Sequence, residues 1–243
     1  MNSKWTTAGA FAVTSVLLAG TASAQETSGS ARDEAASAAP EKSRDLSAAG
    51  RSVELTIGTG YAQGLGNVAT GQSALTDVGT AGGAVEASVG YRLIPQLALG
   101  VYGSGAMFGR ADQVDSSANL YSATAGVQAD WHFLPAAHEF DPWVSLGTGW
   151  RGYWISADQG TTSIQGLEMA RLRVGVDYRL TPAVAVSPVI GADMSLFLSQ
   201  STPASNGSFS AISSPEVNTF VFAGVLGRFD VPTASDRSSV ASR

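Results

Sequence analysis

The sequence predicts an all-β fold, an antiparallel up-and-down transmembrane β-barrel of about eight strands. Three observations predict it. Apolar and polar residues alternate with period two through eight runs, the links between runs alternate short and long, and the polar face is built of glycine, serine and alanine with a few long charged side chains. After the N-terminus no apolar run is long enough to cross a bilayer as a helix, so a crossing has to be made by strands.

The first 24 residues read as a secretory signal peptide: Lys4, an apolar stretch from Ala10 to Gly20, then Ala22-Ser23-Ala24, which places cleavage between Ala24 and Gln25. The chain has no cysteine, so the leader lacks the lipidation site of a lipoprotein. Disulfides and thiolate chemistry are excluded with it. Residues 25–50, rich in Ser, Ala and charge, have no apolar face to bury and read as a flexible periplasmic lead-in. Residues 232–243 read as a flexible tail, leaving 51–231 as the barrel.

The eight runs are 52–61, 84–93, 96–108, 120–133, 143–154, 168–180, 183–198 and 217–231. In the second, Val85, Ala87, Val89, Tyr91 and Leu93 are set against Glu86, Ser88, Gly90 and Arg92. Short links carry proline, at Pro95, between Pro135 and Pro142, and at Pro182. Long polar links span 62–82, 109–117, 156–165 and 200–215. Strict alternation of the two puts every short turn at one end of a meander, with both chain ends beside them. A weak repeat, Tyr91-Arg92-Leu93-x-Pro95 against Tyr178-Arg179-Leu180-x-Pro182, marks hairpins, because each unit holds two strands and a propeller blade needs four.

The polar face decides which way the strands point. Gly58, Gly60, Gly90, Gly100, Gly126, Gly147, Gly149, Gly175 and Gly191 would weaken a solvent-washed surface for no gain, whereas a narrow lumen needs small residues between long ones. The long ones are Glu54, Glu86, Arg92, Asp130, Arg151, Arg171, Arg173, Asp177, Arg179, Asp193 and Arg228. Buried charges persist only when paired, so these predict an ion-pair network inside the barrel. Tyr61, Tyr91, Trp131, Phe133, Trp150, Trp154, Tyr178, Phe197 and Phe229 fall towards strand ends, where lipid-facing barrels carry aromatic girdles. Leader and lipid-facing strands together predict the outer membrane of a Gram-negative-type bacterium.

A formal net charge of -6 and the lack of any basic cluster argue against nucleic acid. The only two histidines, His132 and His138, read as polar residues near a short turn, since a metal site needs several converging ligands. No cofactor, metal ligand or catalytic residue is expected. Asp112 and Asp115 in one loop and Asp158 in another are acids of the kind that bind a cation bridging lipopolysaccharide, or are simply solvated.

The repeated Tyr-Arg-Leu-x-Pro turns, the hairpin from Phe133-Leu134-Pro135 to Phe140-Asp141-Pro142-Trp143, and the final strand Gly224-Val225-Leu226-Gly227-Arg228-Phe229 give a chain that resembles the small outer-membrane barrels of the OmpA-like and OmpW-like type. The resemblance implies that Gly224 and Phe229 belong to a last strand read by the barrel-assembly machinery. Gly227 stands where an aromatic is common. Some such barrels modify lipid A, which would call for a Ser on the same strand face as His132; Asp130 and Leu134 stand there instead. The expectation is a non-enzymatic, monomeric barrel in contact with lipid and lipopolysaccharide, with a structural or surface-interaction role and a plugged lumen. The alternatives are a narrow channel for small solutes, a soluble lipocalin-like binder and a lipid A-modifying enzyme.

Overall fold

The computed structural model describes residues 51–71, 74–134, 139–205 and 207–232, all within one compact unit, Ser43–Arg243. The leader with its Ala24–Gln25 junction, the lead-in, His138 and residues 233–243 lie outside the described residues. The strands are β1 (Ser52–Leu65), β2 (Gly79–Ile94), β3 (Leu97–Arg110), β4 (Asn119–His132), β5 (Phe140–Ala157), β6 (Gly160–Thr181), β7 (Val184–Ser201), the two-residue β8 (Ser210–Ala211) and β9 (Val217–Pro232), with one helical turn, α1 (Leu75–Val78).

Each long strand pairs antiparallel with its sequence neighbour, and β9 pairs with β1 across fourteen residues, from Ser52 opposite Pro232 to Leu65 opposite Thr219. The sheet is therefore closed, with eight staves; β8 only adds a short pairing to the end of β7. Closure leaves no edge strand to satisfy, which is the condition for backbone in a hydrocarbon medium. Both ends of the folded chain lie at the short-turn end, as the alternation of links predicts.

The outer face is apolar around the whole circumference. Ile57, Val85, Val89, Val101, Val127, Leu146, Leu172, Val174, Ile190 and Val225 all stand exposed there. Tyr91, Trp131, Phe133, Phe140, Tyr178 and Phe229 ring the short-turn end, and Phe140 packs on Tyr178 with centroids 5.3 Å apart. Tyr61 and the Trp150–Trp154 pair stand towards the other end. Along β4, the ten-residue step from Trp131 to Tyr121 rises about 33 Å, or roughly 25 Å on the barrel axis at the usual tilt, the height of a lipid-facing band.

Three expectations need correction. The link at 156–165 is not a loop: β5 and β6 run on until Ala157 pairs with Gly160, and Gly160 takes a φ of +126° to close the turn. Pairing of the strands continues past the barrel wall here because Thr161, Thr162, Ile164 and Ile155 keep enough β-propensity to do so. The links at 62–82 and 200–215 shrink likewise to 66–78 and 202–216, which hold α1 and β8. Phe197 is no girdle residue; it points inward and is fully buried.

Candidate functional site in the barrel lumen

The inward face fills the barrel in layers. Nearest the short turns, Arg92 on β2 reaches Glu54 on β1 at 2.5 Å and Asp230 on β9 at 3.4 Å, while its other nitrogen donates to the Pro95 carbonyl of its own turn at 2.9 Å. Arg228 donates to Glu54 and lies 2.9 Å from Asp177, and Arg179 donates to Asp230 at 3.0 Å. His132 completes this layer, with Nδ1 2.8 Å from Asp141 and Nε2 3.2 Å from Arg228. Asp130, two residues further along β4, accepts both its hydrogen bonds from Gln128 and lies in no described salt bridge.

The middle layer is a second, separate set. Arg173 binds Asp193 in fork fashion, at 2.5 and 3.2 Å, and turns Nε towards Glu86 at 3.3 Å. Arg171 holds the same Glu86 at 2.9 Å, and Arg151 bridges Asp193 at 2.6 Å to Glu168 at 3.0 Å. Tyr102 donates to Glu168 at 3.0 Å. Aromatic faces cover these cations: Arg171 lies 4.2 Å from the Tyr102 ring, Arg151 4.1 Å from Phe220 and Arg173 4.9 Å from Phe222. Small residues make the room. A Cβ on Gly191 would sit 2.6 Å from Cδ of Arg173, and one on Gly126 2.7 Å from the Tyr102 hydroxyl.

Above the charges, the long-loop end is sealed by hydrocarbon. Val68, Ala69 and Leu75 from the β1–β2 link and Ile212 from the β7–β9 link pack onto Leu120, Tyr153, Phe197 and Phe220. The two links are stitched together by Thr70 N to Ser214 O at 3.1 Å, Glu216 N to Val68 O at 3.2 Å, and the Thr70 hydroxyl to the Glu216 carboxylate at 2.7 Å. Two interior spaces between layers, lined by described residues, are about 10 and about 20 Å³, room for a single water each.

Every one of the eleven charges predicted to line the lumen does so, all buried. Sequence reasoning missed four partners. Asp230 follows Arg228 at period two and was legible. Glu168 breaks the period because β6 carries a bulge between it and Ala170, so two outward residues separate it from Arg171. Asp141 reads as a turn residue beside Pro142, yet β5 begins at Phe140 and Asp141 is buried. His132, which reads in the sequence as a polar residue near a short turn, is fully buried among charges. Among the described residues the buried charged set is then eight carboxylates, six guanidiniums and one imidazole.

Gly224 and Phe229 both lie on β9 in the closing seam, Gly224 opposite Gly60 and Phe229, outward, opposite Leu55. Asp115 in the β3–β4 link accepts the Ser117 amide at 2.9 Å and its hydroxyl at 3.0 Å, and these bonds hold its carboxyl below the ordinary aspartate range. The Asp158 amide donates to the same Ser117 hydroxyl at 3.2 Å. The acids here serve the turn.

A closed eight-stranded barrel with an apolar exterior and a charge-filled lumen is the architecture of the small bacterial outer-membrane barrels. Neisserial surface protein A is similar in fold, with a TM-score of 0.51 at 13% identity over 73% of this chain and 96% of that one. The outer membrane protein OprG from Pseudomonas aeruginosa scores 0.48 at 10% identity, over 76% and 98%. The N-terminal β-barrel domain of Pseudomonas aeruginosa OprF scores 0.42 at 16%, over 73% and 97%. The likeness is one of fold. No protein-family model matches the sequence, and comparison with curated proteins finds no match.

Proposed function

We infer that the protein is an integral outer-membrane barrel with a structural or surface-interaction role, closed to solutes and without catalytic chemistry. One observation carries the reading: described side chains fill the lumen in layers from the short turns to the mouth, and two spaces between those layers have room for about one water each. The apolar belt supports the membrane assignment, since a soluble surface does not carry that much continuous hydrocarbon. Lipid and lipopolysaccharide are the partners such a belt and its loops meet, β9 is the strand offered to the assembly machinery, and the working unit is a monomer. Export with cleavage between Ala24 and Gln25 accompanies this reading, and intact-mass analysis of the outer-membrane fraction measures it.

Planar-bilayer conductance tests the closed lumen. The expected outcome is no steady current from the refolded protein; large, stable openings overturn the reading. A narrow channel is the second reading, favoured by one feature: Glu86 and Arg173 wall both small spaces, so displacement of one side chain joins them. Brief, small current steps that grow in Arg173→Ala select it.

A further inference from the structure

The buried charges do not balance, and the imbalance is local. The middle layer matches three carboxylates with three arginines, so the excess of two negative charges, with His132 neutral, falls wholly in the layer at the short-turn end. Within that layer Asp141 on β5 and Asp177 on β6 are direct cross-strand partners, both fully buried. Like charges placed opposite one another repel, and burial sharpens the repulsion. Arg228 and Arg179 ease it only in part, because each already serves another carboxylate. Although Arg228 Nε lies 2.9 Å from Asp177 Oδ2, its N–H is not aimed there, and neither oxygen of Asp177 accepts a hydrogen bond.

His132 stands against this pair from β4. The donor atoms of His132, Asp141 and Asp177 lie within 4.8 Å of one another. Nδ1 is 2.8 Å from Asp141 Oδ2 and 4.0 Å from Asp177 Oδ2. Four ligands at ~2.0 Å around a tetrahedral ion stand ~3.3 Å apart, between those two separations, so with all three atoms within 4.8 Å of one another shifts on the order of 1 Å bring them onto one ion.

We propose that His132, Asp141 and Asp177 form a buried site for one divalent transition-metal ion of the zinc class, held between β4, β5 and β6 at the short-turn end of the lumen. One imidazole nitrogen and two carboxylates suit such an ion, and its two charges cancel the excess of the layer. On binding, the Nδ1 proton moves to Nε2, leaving the imidazole neutral. Nε2–H then turns towards Glu54 Oε2, now 3.7 Å away, the outer carboxylate that orients a ligating histidine. Arg228, which now faces Nε2, keeps its bond to Glu54 Oε1. The three ligands come from three consecutive strands, so the ion ties the staves together, and full burial means that it loads while the barrel closes.

The test is to refold the full chain in detergent with and without Zn²⁺, strip loosely held metal with a chelator, and measure the zinc retained together with its X-ray absorption spectrum. The expected result is one Zn²⁺ per chain with an imidazole signature and a raised unfolding temperature, abolished in His132→Asn and Asp177→Asn and kept in Asp115→Asn. Should the lumen variants fail to fold, His138→Asn leaves His132 as the only imidazole in the chain, and retention of the signature supports the site. A wild type that keeps no zinc, a spectrum without imidazole, or equal retention by His132→Asn overturns the proposal and leaves the excess charge to bound protons.

Discussion

The lumen is filled in two ways, by charge through most of its length and by hydrocarbon at the mouth, and the two blocks of side chains are built from different parts of the chain. The charged layers hang on strands, so each side chain inherits a fixed inward direction from the pleat. The apolar seal is shared between inward strand residues such as Phe197 and Phe220 and residues of two links, Val68, Leu75 and Ile212. Removing a member of the first leaves a partner charge stranded in a low-dielectric interior. Removing a member of the second leaves a void that the links can relax into. The charged block is therefore the stiffer of the two, and the one expected to decide conductance.

The sharpest way to break this contrast is Arg173→Ala, which removes the cation shared by Glu86 and Asp193 and leaves each buried carboxylate a single arginine, Arg171 and Arg151 respectively. A loss of about 3–5 kcal/mol in equilibrium unfolding from lipid vesicles is expected. Next comes Val89→Arg on the outer face, which puts a cation in the lipid-facing band and should cost about 2–4 kcal/mol in the same assay. A loss below about 0.5 kcal/mol would mean that this face does not meet lipid. In the seal, Leu75→Ala should cost about 2 kcal/mol, the low end for a buried leucine because α1 belongs to a link, and should leave the barrel as closed in planar bilayers as before. If it opens the lumen, hydrocarbon and not charge is the barrier. The smallest effect is a pH effect at the turn. Asp115 titrates below the ordinary aspartate value of 3.8 when folded, so the order it lends the Ser117 amide is full above that value and is lost as pH falls through the lower, folded one. Hydrogen exchange at Ser117 should speed up relative to the intrinsic rate on acidification, and Asp115→Asn should abolish that pH dependence.

The charged block was legible in the sequence and the seal was not, for the same reason. Period two encodes a strand's two faces, so Arg171, Arg173, Asp177 and Arg179 announce their side together. Glu168 drops out where the bulge resets the phase, and Asp141 where Pro142 suggests a turn. Val68, Ala69 and Ile212 carry no period at all; their burial follows from how two links meet above the barrel, which no local pattern records. His132 was legible in direction, since it shares the face of Asp130, but its partners come from β5, β6 and β9. Convergence across strands needs the register, and the length of the 133–139 link alone does not fix it.

The bond between Arg228 and Glu54 joins groups 174 residues apart in the chain. Seven of the eight pairings around the barrel join strands that follow one another in sequence, with β8 the only insertion, whereas β1 to β9 must wait for the whole wall. Loop closure of that span carries the largest entropic cost in the molecule. Until it happens Glu54 lacks Arg228 and Asp230 lacks Arg92, so the layer at the short-turn end is split across the open seam. An open barrel is thereby penalised by charges left unpaired at its seam, and β9 is the strand that neutralises β1.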